Sequence, residues 1–238
     1  MLNQLTYKTF GKNAILIEWP AVISEDVLQD IVAYKTKIER LLKLQDVIVG
    51  YNSLLLVYNF EIEKFQSKVA FLKELYFQKG IISTIRGIHW SVPVCYDPIF
   101  GIDLELVSER KNKSVKEIIR LHTEVVYKVY FIGFLPGFLY LGGLNSKIAI
   151  PRKETPRLRV PKGAVAIGGS QTGVYPTESS GGWNIIGNSP VSFFDIDKIT
   201  PCFAKTGDKI SFESISFEAY TSIKEQLENN TYQLKKIE

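Results

Sequence analysis

Beyond Pro98 the chain breaks into short β-prone runs that glycine and proline interrupt at close intervals, and this pattern limits the fold more than any other feature. Short strands with frequent turns are typical of a β-barrel. One helix precedes them, because Ser114 and Glu117 form a capping box, in which each side chain caps a backbone amide, ahead of an apolar stretch. The runs that we assign to strands are residues 127–132, 164–167, 183–186, 191–194 and 209–213.

Residues 1–90 instead alternate short strands with longer helices. Ser24 is placed to cap a helix with apolar residues at three- and four-residue steps, namely Val27, Ile31, Tyr34, Ile38 and Leu41. A second helix follows two more strands, and a last strand is expected near residues 88–94. This order predicts a ferredoxin-like layer. The fold class is thus α+β, with a ferredoxin-like N-terminal domain over residues 1–90 and a β-barrel domain over residues 91–238.

Composition narrows the classes of partner. Apolar residues make up 45% and charged residues 23% of the 238 residues, as in an ordinary globular protein of about two domains. The formal net charge of +4 is mild, so we expect no nucleic-acid partner. The N-terminal residues lack the form of a secretory signal, and the apolar run 130–144 is shorter than the ~20 residues of a membrane span. We therefore expect no membrane partner and a cytoplasmic location.

Residues 133–143 interleave aromatic rings with glycine and proline. Such a segment suits either a structural loop that plugs the barrel or the wall of a ligand pocket, and spacing does not separate the two.

Five basic residues and one acidic residue follow in the proline-stiffened segment 151–163. Arg157 and Arg159 are anion-binding candidates, because a guanidinium group binds a carboxylate or phosphate through two parallel hydrogen bonds. Alternate residues of a strand point the same way, so these two side chains are expected to share one face. Arg152 and Lys153 are assigned to the solvated surface.

Residues 168–176 combine glycines with polar side chains, which suggests a cradle of free backbone amides for an oxyanion. The segment is not a nucleotide-binding loop, because the pattern Gly-x4-Gly-Lys-Ser/Thr is missing from the chain.

His89 and His122 are the two histidines of the chain. His89 is interpreted as a structural residue of a strand. His122 lies on the helix that Ser114 caps, and it is either a satisfied core histidine or a proton-transfer group. Two distant histidines and the isolated thiols of Cys95 and Cys202 indicate neither a metal site nor a disulfide framework.

Taken in order, these motifs resemble one family, that of the 5-oxoprolinase B-subunit, the kinase inhibitor KipI and allophanate hydrolase subunit 1. The motifs include Gly-Phe-Leu-Pro-Gly-Phe at 133–138, Val-Pro-Lys-Gly at 160–163 and Gly-Gly-Ser-Gln-Thr-Gly at 168–173. Further matching pairs lie at 121–122, 151–152, 156–157 and 175–176, with a longer match at 127–130. The likeness is strong from about residue 95 to residue 213 and weak over residues 1–90.

The resemblance implies a cyclophilin-like barrel after the ferredoxin-like domain. It implies a component of an ATP-dependent 5-oxoprolinase, which opens 5-oxoproline to glutamate with a C-subunit-like carboxyltransferase partner and a third subunit. ATP, with Mg²⁺, would be held by the complex rather than by this chain alone. By the same resemblance Arg157, Arg159, Gln171 and Tyr175 would bind the substrate, and His122 would handle a proton.

Other members of the family imply two alternatives. One is a KipI-type inhibitor that binds a sensor histidine kinase, and the other is an allophanate or urea amidohydrolase component. The chain also departs from the family pattern: Leu139 and Ser180 replace prolines, Asn188 replaces an arginine, and residues 97–99 replace a Gly-Gly stretch. We expect the fold to tolerate these changes, whereas the loss of an arginine at Asn188 bears on anion recognition.

Overall fold

The computed structural model describes residues 4–22, 24–78 and 87–237. The chain divides into two compact units, residues 1–86 and 87–238.

The described residues of the N-terminal unit form a four-stranded antiparallel sheet and two helices. Its elements are β1 (Thr6–Phe10), β2 (Ala14–Glu18), α1 (Glu25–Leu41), β3 (Asp46–Val49), β4 (Ser53–Val57) and α2 (Phe65–Phe77). The strand order is β1-β2-β4-β3. Alternate residues of the two central strands, such as Ile15 and Ile17 in β2 and Leu54 and Leu56 in β4, are fully buried. They form the sheet side of a core that α1 and α2 complete.

Helix α1 forms as its sequence predicts. The hydroxyl oxygen of Ser24 accepts a hydrogen bond of 3.2 Å from the amide of Val27, which satisfies one of the free amides of the first turn. Four of the five predicted apolar residues are buried, whereas Leu41 in the last turn is 61% exposed. The apolar stripe therefore ends one turn before the helix does.

The ferredoxin-like prediction misplaced one strand. The segment near residues 88–94 forms β5 (His89–Cys95), but β5 belongs to the sheet of the second unit. In the first sheet, β1 from the start of the chain already occupies the free edge of β2. From Trp90 onward β5 is buried on both faces, which suits the wall of a filled barrel better than the edge of a half-exposed layer.

The described residues of the second unit form a closed seven-stranded β-barrel. Around the barrel the strands follow the order β12-β9-β10-β7-β6-β13-β5, and the pair Asn188–Cys95 joins β12 back to β5. The strand β14 (Lys235–Ile237) also pairs with β5. The other barrel strands are β6 (Val126–Ile132), β7 (Leu139–Gly142), β9 (Ala164–Gly168), β10 (Gln171–Val174), β12 (Asn184–Asn188) and β13 (Lys209–Ile215).

Three α-helices, a short 3-10 helix (Ser146–Ile148) and a two-stranded ribbon accompany the barrel in the described residues. The α-helices are α3 (Leu104–Lys111), α4 (Val115–Thr123) and α5 (Phe217–Glu228), and the ribbon pairs β8 (Arg157–Val160) with β11 (Ser179–Gly181). Sequence reasoning missed α3, and it was wrong to assign residues 191–194 to a strand, because they are irregular here.

Half of the predicted capping box is present at α4. The Ser114 hydroxyl accepts a hydrogen bond from the Glu117 amide at 3.2 Å, while the Glu117 carboxylate accepts hydrogen bonds from Arg120. Apolar side chains of α3, α4 and the barrel strands share one core. No helix in the described part of the chain is both long and apolar enough to cross a bilayer.

Candidate functional site

A cavity of about 280 Å³ opens at one side of the barrel. Its walls carry the rings of Phe134, Phe138, Tyr140, Tyr175 and Trp183, and two basic side chains, Arg152 and Lys153, also line it. We call this cavity the aromatic pocket. It contains no lining carboxylate among the described residues.

Phe138 lies at the centre of the aromatic pocket. Its ring meets those of Tyr175 and Trp183 edge to face, with centroids 5.2 and 5.6 Å away. Such contacts orient neighbouring rings more strongly than their buried area alone. Together with Val160 and Ile185 these rings form an apolar cluster of their own. The floor of the pocket is therefore preformed.

Two glycines allow this packing. A Cβ atom on Gly168 would lie 2.6 Å from the Trp183 ring, and one on Gly181 would overlap the hydroxyl group of Tyr175. Any larger residue at either position would displace a ring of the pocket. Part of the glycine density of this region thus serves close approach to aromatic side chains.

The loop between β6 and β7 supplies the outer wall, which favours the pocket reading of residues 133–143 over a plug. Phe134 has a φ of 68° and is 61% exposed, and its ring meets that of Phe138 edge to face at 5.7 Å. A left-handed backbone is costly for a bulky residue, and such strain clusters at functional sites. The chain holds an exposed ring at the pocket rim in spite of this cost.

Arg152 is the unpaired arginine of the pocket. Its guanidinium carbon lies 5.4 Å from the centroid of the Trp183 ring. Among the described residues no carboxylate lies within ion-pair distance of Arg152. Sequence reasoning assigned Arg152 and Lys153 to the solvated surface. Arg152 is exposed and Lys153 is half-buried, and both also line the pocket.

Arg157 is not a free anion-binding group. Its two Nη atoms donate hydrogen bonds of 2.8 and 2.7 Å to the carboxylate of Asp103, and the ammonium group of Lys153 lies 2.8 Å from the same carboxylate. The amide of Ile185 donates a further hydrogen bond of 2.8 Å. Burial alone would raise the pKa of Asp103, but these donors outweigh it and hold the pKa below its ordinary value.

Arg159 is also paired, and it lies in solvent. Its guanidinium group donates two hydrogen bonds to Glu178, of 2.9 and 3.2 Å, and its side chain is 79% exposed. Arg157 and Arg159 therefore bind different carboxylates, and neither lines the aromatic pocket. The structure does not support the predicted pair of substrate-binding arginines.

Of the two remaining predicted substrate-binding residues, only Tyr175 reaches the pocket. Burial raises the pKa of its hydroxyl group. Gln171 pairs with Gly168 where β9 and β10 join, and it is not a lining residue.

The predicted oxyanion cradle at residues 168–176 is a β-hairpin instead. The amide of Gly169 donates to the carbonyl of Ile150 at 2.7 Å, and that of Tyr175 donates to Ala164 at 2.9 Å. These backbone amides are used within the protein and are not free for a ligand.

His122 is completely buried in the barrel core. Its Nε2 atom lies 2.9 Å from the hydroxyl oxygen of Thr172, and its Nδ1 atom lies 2.7 Å from that of Tyr96. The Thr172 hydroxyl donates its proton to Ala166, so the Thr172 oxygen accepts from Nε2, and Nδ1 accepts from Tyr96. Burial lowers the pKa of His122 to about 3. This environment fits a neutral structural histidine rather than the predicted proton-transfer group.

Three of the four departures from the family pattern have different surroundings. Ser180 lines the aromatic pocket, whereas Leu139 is buried in β7. Asn188 is also buried; its amide donates to the carbonyl of Lys162 at 2.9 Å, and its carbonyl accepts from Tyr220 at 3.0 Å. The position of the replaced arginine is thus outside the aromatic pocket.

The described residues supply no set of side-chain ligands for Mg²⁺. No group of three or more His, Cys, Asp or Glu side chains in the described ranges is arranged to hold a metal ion.

The closed barrel, the separate sheet and the helices define a protein of the α+β class. Residues 5–204 match the family described as carboxyltransferase domain, subdomain C and D, and the chain belongs to this family.

Two curated relatives are named as the B-subunit of 5-oxoprolinase. The protein from Haemophilus influenzae is 34% identical over 202 residues, which are 85% of this chain and 94% of the relative. The protein from Bacillus subtilis is 44% identical over 135 residues, which are 57% of this chain but only 56% of that relative.

Among solved structures, the urea amidolyase of K. lactis superposes with a TM-score of 0.83 over 98% of this chain and 16% of its own chain. Its sequence identity of 15% makes this a likeness of fold.

Proposed function

We propose that this chain is one component of an ATP-dependent 5-oxoprolinase, which opens 5-oxoproline to glutamate together with a C-subunit-like carboxyltransferase partner and a third subunit. One observation carries the proposal: the alignment with the H. influenzae protein, named as the B-subunit of 5-oxoprolinase, covers 94% of that protein. The aromatic pocket supports it, because a small ring with a negative charge matches aromatic walls and basic groups.

The chemistry explains why several chains would cooperate. A lactam carbonyl is a poor electrophile, and phosphoryl transfer from ATP turns its oxygen into a leaving group. Water then adds to the ring carbon, and the C–N bond breaks to give an amine and an acyl phosphate. A second water hydrolyses the acyl phosphate to a carboxylate and inorganic phosphate. The described residues offer no nucleotide loop or metal cluster, and we propose that ATP and Mg²⁺ are held by the complex rather than by this chain alone.

We also propose a finer description of the fold. The N-terminal unit is a ferredoxin-like layer in which β1 takes the place of the usual last strand. The order β2-α1-β3-β4-α2 in the chain and β2-β4-β3 in the sheet supports this. The closed barrel is the cyclophilin-like domain of the family.

The two alternatives are less favoured. A KipI-type inhibitor would bind a sensor histidine kinase, and an allophanate or urea amidohydrolase component would act on a different amide. The curated relatives above carry the 5-oxoprolinase name. The likeness to urea amidolyase is one of fold alone.

Reconstitution tests the proposed function. The chain is co-expressed with its C-subunit-like and third partners, and glutamate release from 5-oxoproline is measured with ATP, without ATP, and with this chain omitted. We expect a stable complex whose glutamate release needs both ATP and this chain. Release that is unchanged without this chain, or a complex that is inactive on 5-oxoproline, contradicts the proposal. Capture of a sensor histidine kinase as the main partner would favour the inhibitor alternative.

A further inference from the structure

Three arginines near the aromatic pocket differ in their free hydrogen-bonding capacity. Asp103 neutralises Arg157 and Glu178 neutralises Arg159, each through two hydrogen bonds. Arg152 has no such partner among the described residues. A planar carboxylate from outside the chain therefore finds a free guanidinium group only at Arg152 among these three.

Trp183 prepares Arg152 for this role. The guanidinium carbon lies 5.4 Å from the ring centroid, so the ring attracts the cation and restricts its rotation. A guanidinium group stacked on a ring still has in-plane N–H groups for a two-point contact with a carboxylate. Trp183 is itself fixed by its contact with Phe138.

The charge around the pocket also favours an anion. Asp103 carries one negative charge against the two positive charges of Lys153 and Arg157, so this cluster keeps a net charge of +1. Arg152 adds a further positive charge on the pocket wall. Because no carboxylate of the described residues lines the cavity, a bound anion meets attraction without direct repulsion.

The size and walls of the cavity restrict the rest of the ligand. About 280 Å³ accommodates a single small ring with its substituent. The rings of Phe138, Tyr175 and Trp183 offer apolar faces to it, and the strained Phe134 stands exposed at the rim. A monocyclic lactam that carries a carboxylate combines both features.

On these grounds we infer that the aromatic pocket binds a small monocyclic lactam carboxylate, and that Arg152 binds its carboxylate. This inference rests on the proposed function and deepens it, because 5-oxoproline belongs to that class. It replaces the predicted contacts from Arg157 and Arg159 with a contact from Arg152.

The test compares the carboxylate of 5-oxoproline with its neutral carboxamide analogue. In the reconstituted complex, Arg152→Gln is expected to raise KM for 5-oxoproline about 10- to 100-fold, the equivalent of one hydrogen bond to a charged group. KM for the carboxamide is expected to change little, so the preference for the carboxylate collapses. The Arg152→Lys variant keeps the positive charge but lacks the planar guanidinium group. Its KM for 5-oxoproline is expected to lie between those of the unchanged complex and of Arg152→Gln.

Arg159→Gln is the matched control, since it removes an arginine that lies outside the pocket. We expect its KM and its preference for the carboxylate to equal those of the unchanged complex. A merely structural effect of Arg152 would raise KM for both ligands together. If Arg152→Gln keeps the full preference for the carboxylate, the inference is wrong even though 5-oxoproline is hydrolysed.

Binding to the full-length chain separates the inference from the proposed function. Binding of 5-oxoproline is followed by tryptophan fluorescence, with Trp183→Phe to identify the reporting ring. Binding that depends on Arg152, in a complex without hydrolytic activity, would keep the inference and reject the proposed function. Absence of both binding and activity overturns the inference as well.

Discussion

Arg157 and Asp103 are 54 positions apart in the chain, yet two Nη atoms of the arginine meet the two carboxylate oxygens at 2.8 and 2.7 Å. Asp103 directly precedes α3, and its backbone amide donates a hydrogen bond to Ile185 in β12 at 2.9 Å. One carboxylate thus joins a helix, the β8–β11 ribbon and a barrel strand. It also holds Lys153 in the wall of the aromatic pocket.

We expect Asp103→Asn to lower the free energy of unfolding by about 1–3 kcal/mol, because it leaves partly buried cations without a charged acceptor. Urea unfolding at neutral pH measures the effect. Glu178→Gln, which breaks the exposed pair with Arg159, is the control and is expected to cost much less, because solvent screens that pair. Equal losses of stability in the two variants would show that the Asp103 cluster stabilises the fold no more than the exposed pair of Arg159 and Glu178 does.

Acid is expected to weaken the same cluster. The folded-state pKa of Asp103 lies below its ordinary value of 3.8, so its stabilisation is complete above that value. It is lost as the pH falls through the lower, folded-state pKa. The free energy of unfolding, measured from pH 6 down to pH 2, should therefore fall less in Asp103→Asn than in the unchanged protein. Parallel curves for the two proteins would contradict this.

The buried His122 is expected to give the stability of the protein a second pH dependence, at higher pH than that of Asp103. Its pKa is about 3 in the folded protein against an ordinary 6.5, so the unfolded chain binds the proton first as the pH falls. Stability is complete above pH 6.5 and is lower by about 2 kcal/mol at pH 5. We expect the His122→Gln variant to be less stable than the unchanged protein at pH 8. Its free energy of unfolding should change little between pH 7 and pH 5.

His89→Gln is the control for this prediction. Burial, with a smaller contribution from Lys209, lowers the pKa of His89, but this residue is only partly buried. The free energy of unfolding of the His89→Gln variant should therefore still fall between pH 7 and pH 5 almost as steeply as that of the unchanged protein. If His89→Gln instead removes the dependence of stability on pH between pH 7 and pH 5, the assignment of His122 as a buried neutral histidine is wrong.

Adjacent glycines offer a matched test of the aromatic pocket. A Cβ on Gly181 would lie 2.7 Å from Cζ of Tyr175, whereas one on Gly182 would lie 3.5 Å from its nearest neighbour, the carbonyl oxygen of Lys153. We expect Gly181→Ala to cost about 1–3 kcal/mol of stability by overpacking and to raise KM for 5-oxoproline. Gly182 also lines the pocket but has more room, so Gly182→Ala is expected to cost less stability and to raise KM less than Gly181→Ala. Equal effects on KM would argue against a role for Tyr175 in the pocket.

Local sequence signals predicted the local elements well. Ser24 and Ser114 cap α1 and α4 as expected, because each hydroxyl needs only an amide three residues ahead. Helix α3 was missed. Two of its eight residues, Leu104 and Val107, are buried, so its apolar periodicity is too short to recognise.

The candidate site was predicted less well, and the reason is the distance in sequence between its parts. Arg152, Arg157 and Arg159 are equivalent in their local sequence, and only their acidic partners distinguish them. Asp103 is distant in the chain, and Glu178 becomes a neighbour of Arg159 through the β8–β11 ribbon. Tyr175 was placed in the pocket by family resemblance, and no local signal identified Trp183 as the ring beneath Arg152.

The position of β5 in the barrel has a consequence for biosynthesis. This strand opens the second unit, but it pairs in parallel with β13 and antiparallel with β14, both near the far end of the chain. During synthesis β5 therefore stays without these two partner strands until more than a hundred further residues have left the ribosome. Pairings this distant in the chain make closure of the barrel slow, and the strand edges that are still unpaired during synthesis are the parts most open to aggregation.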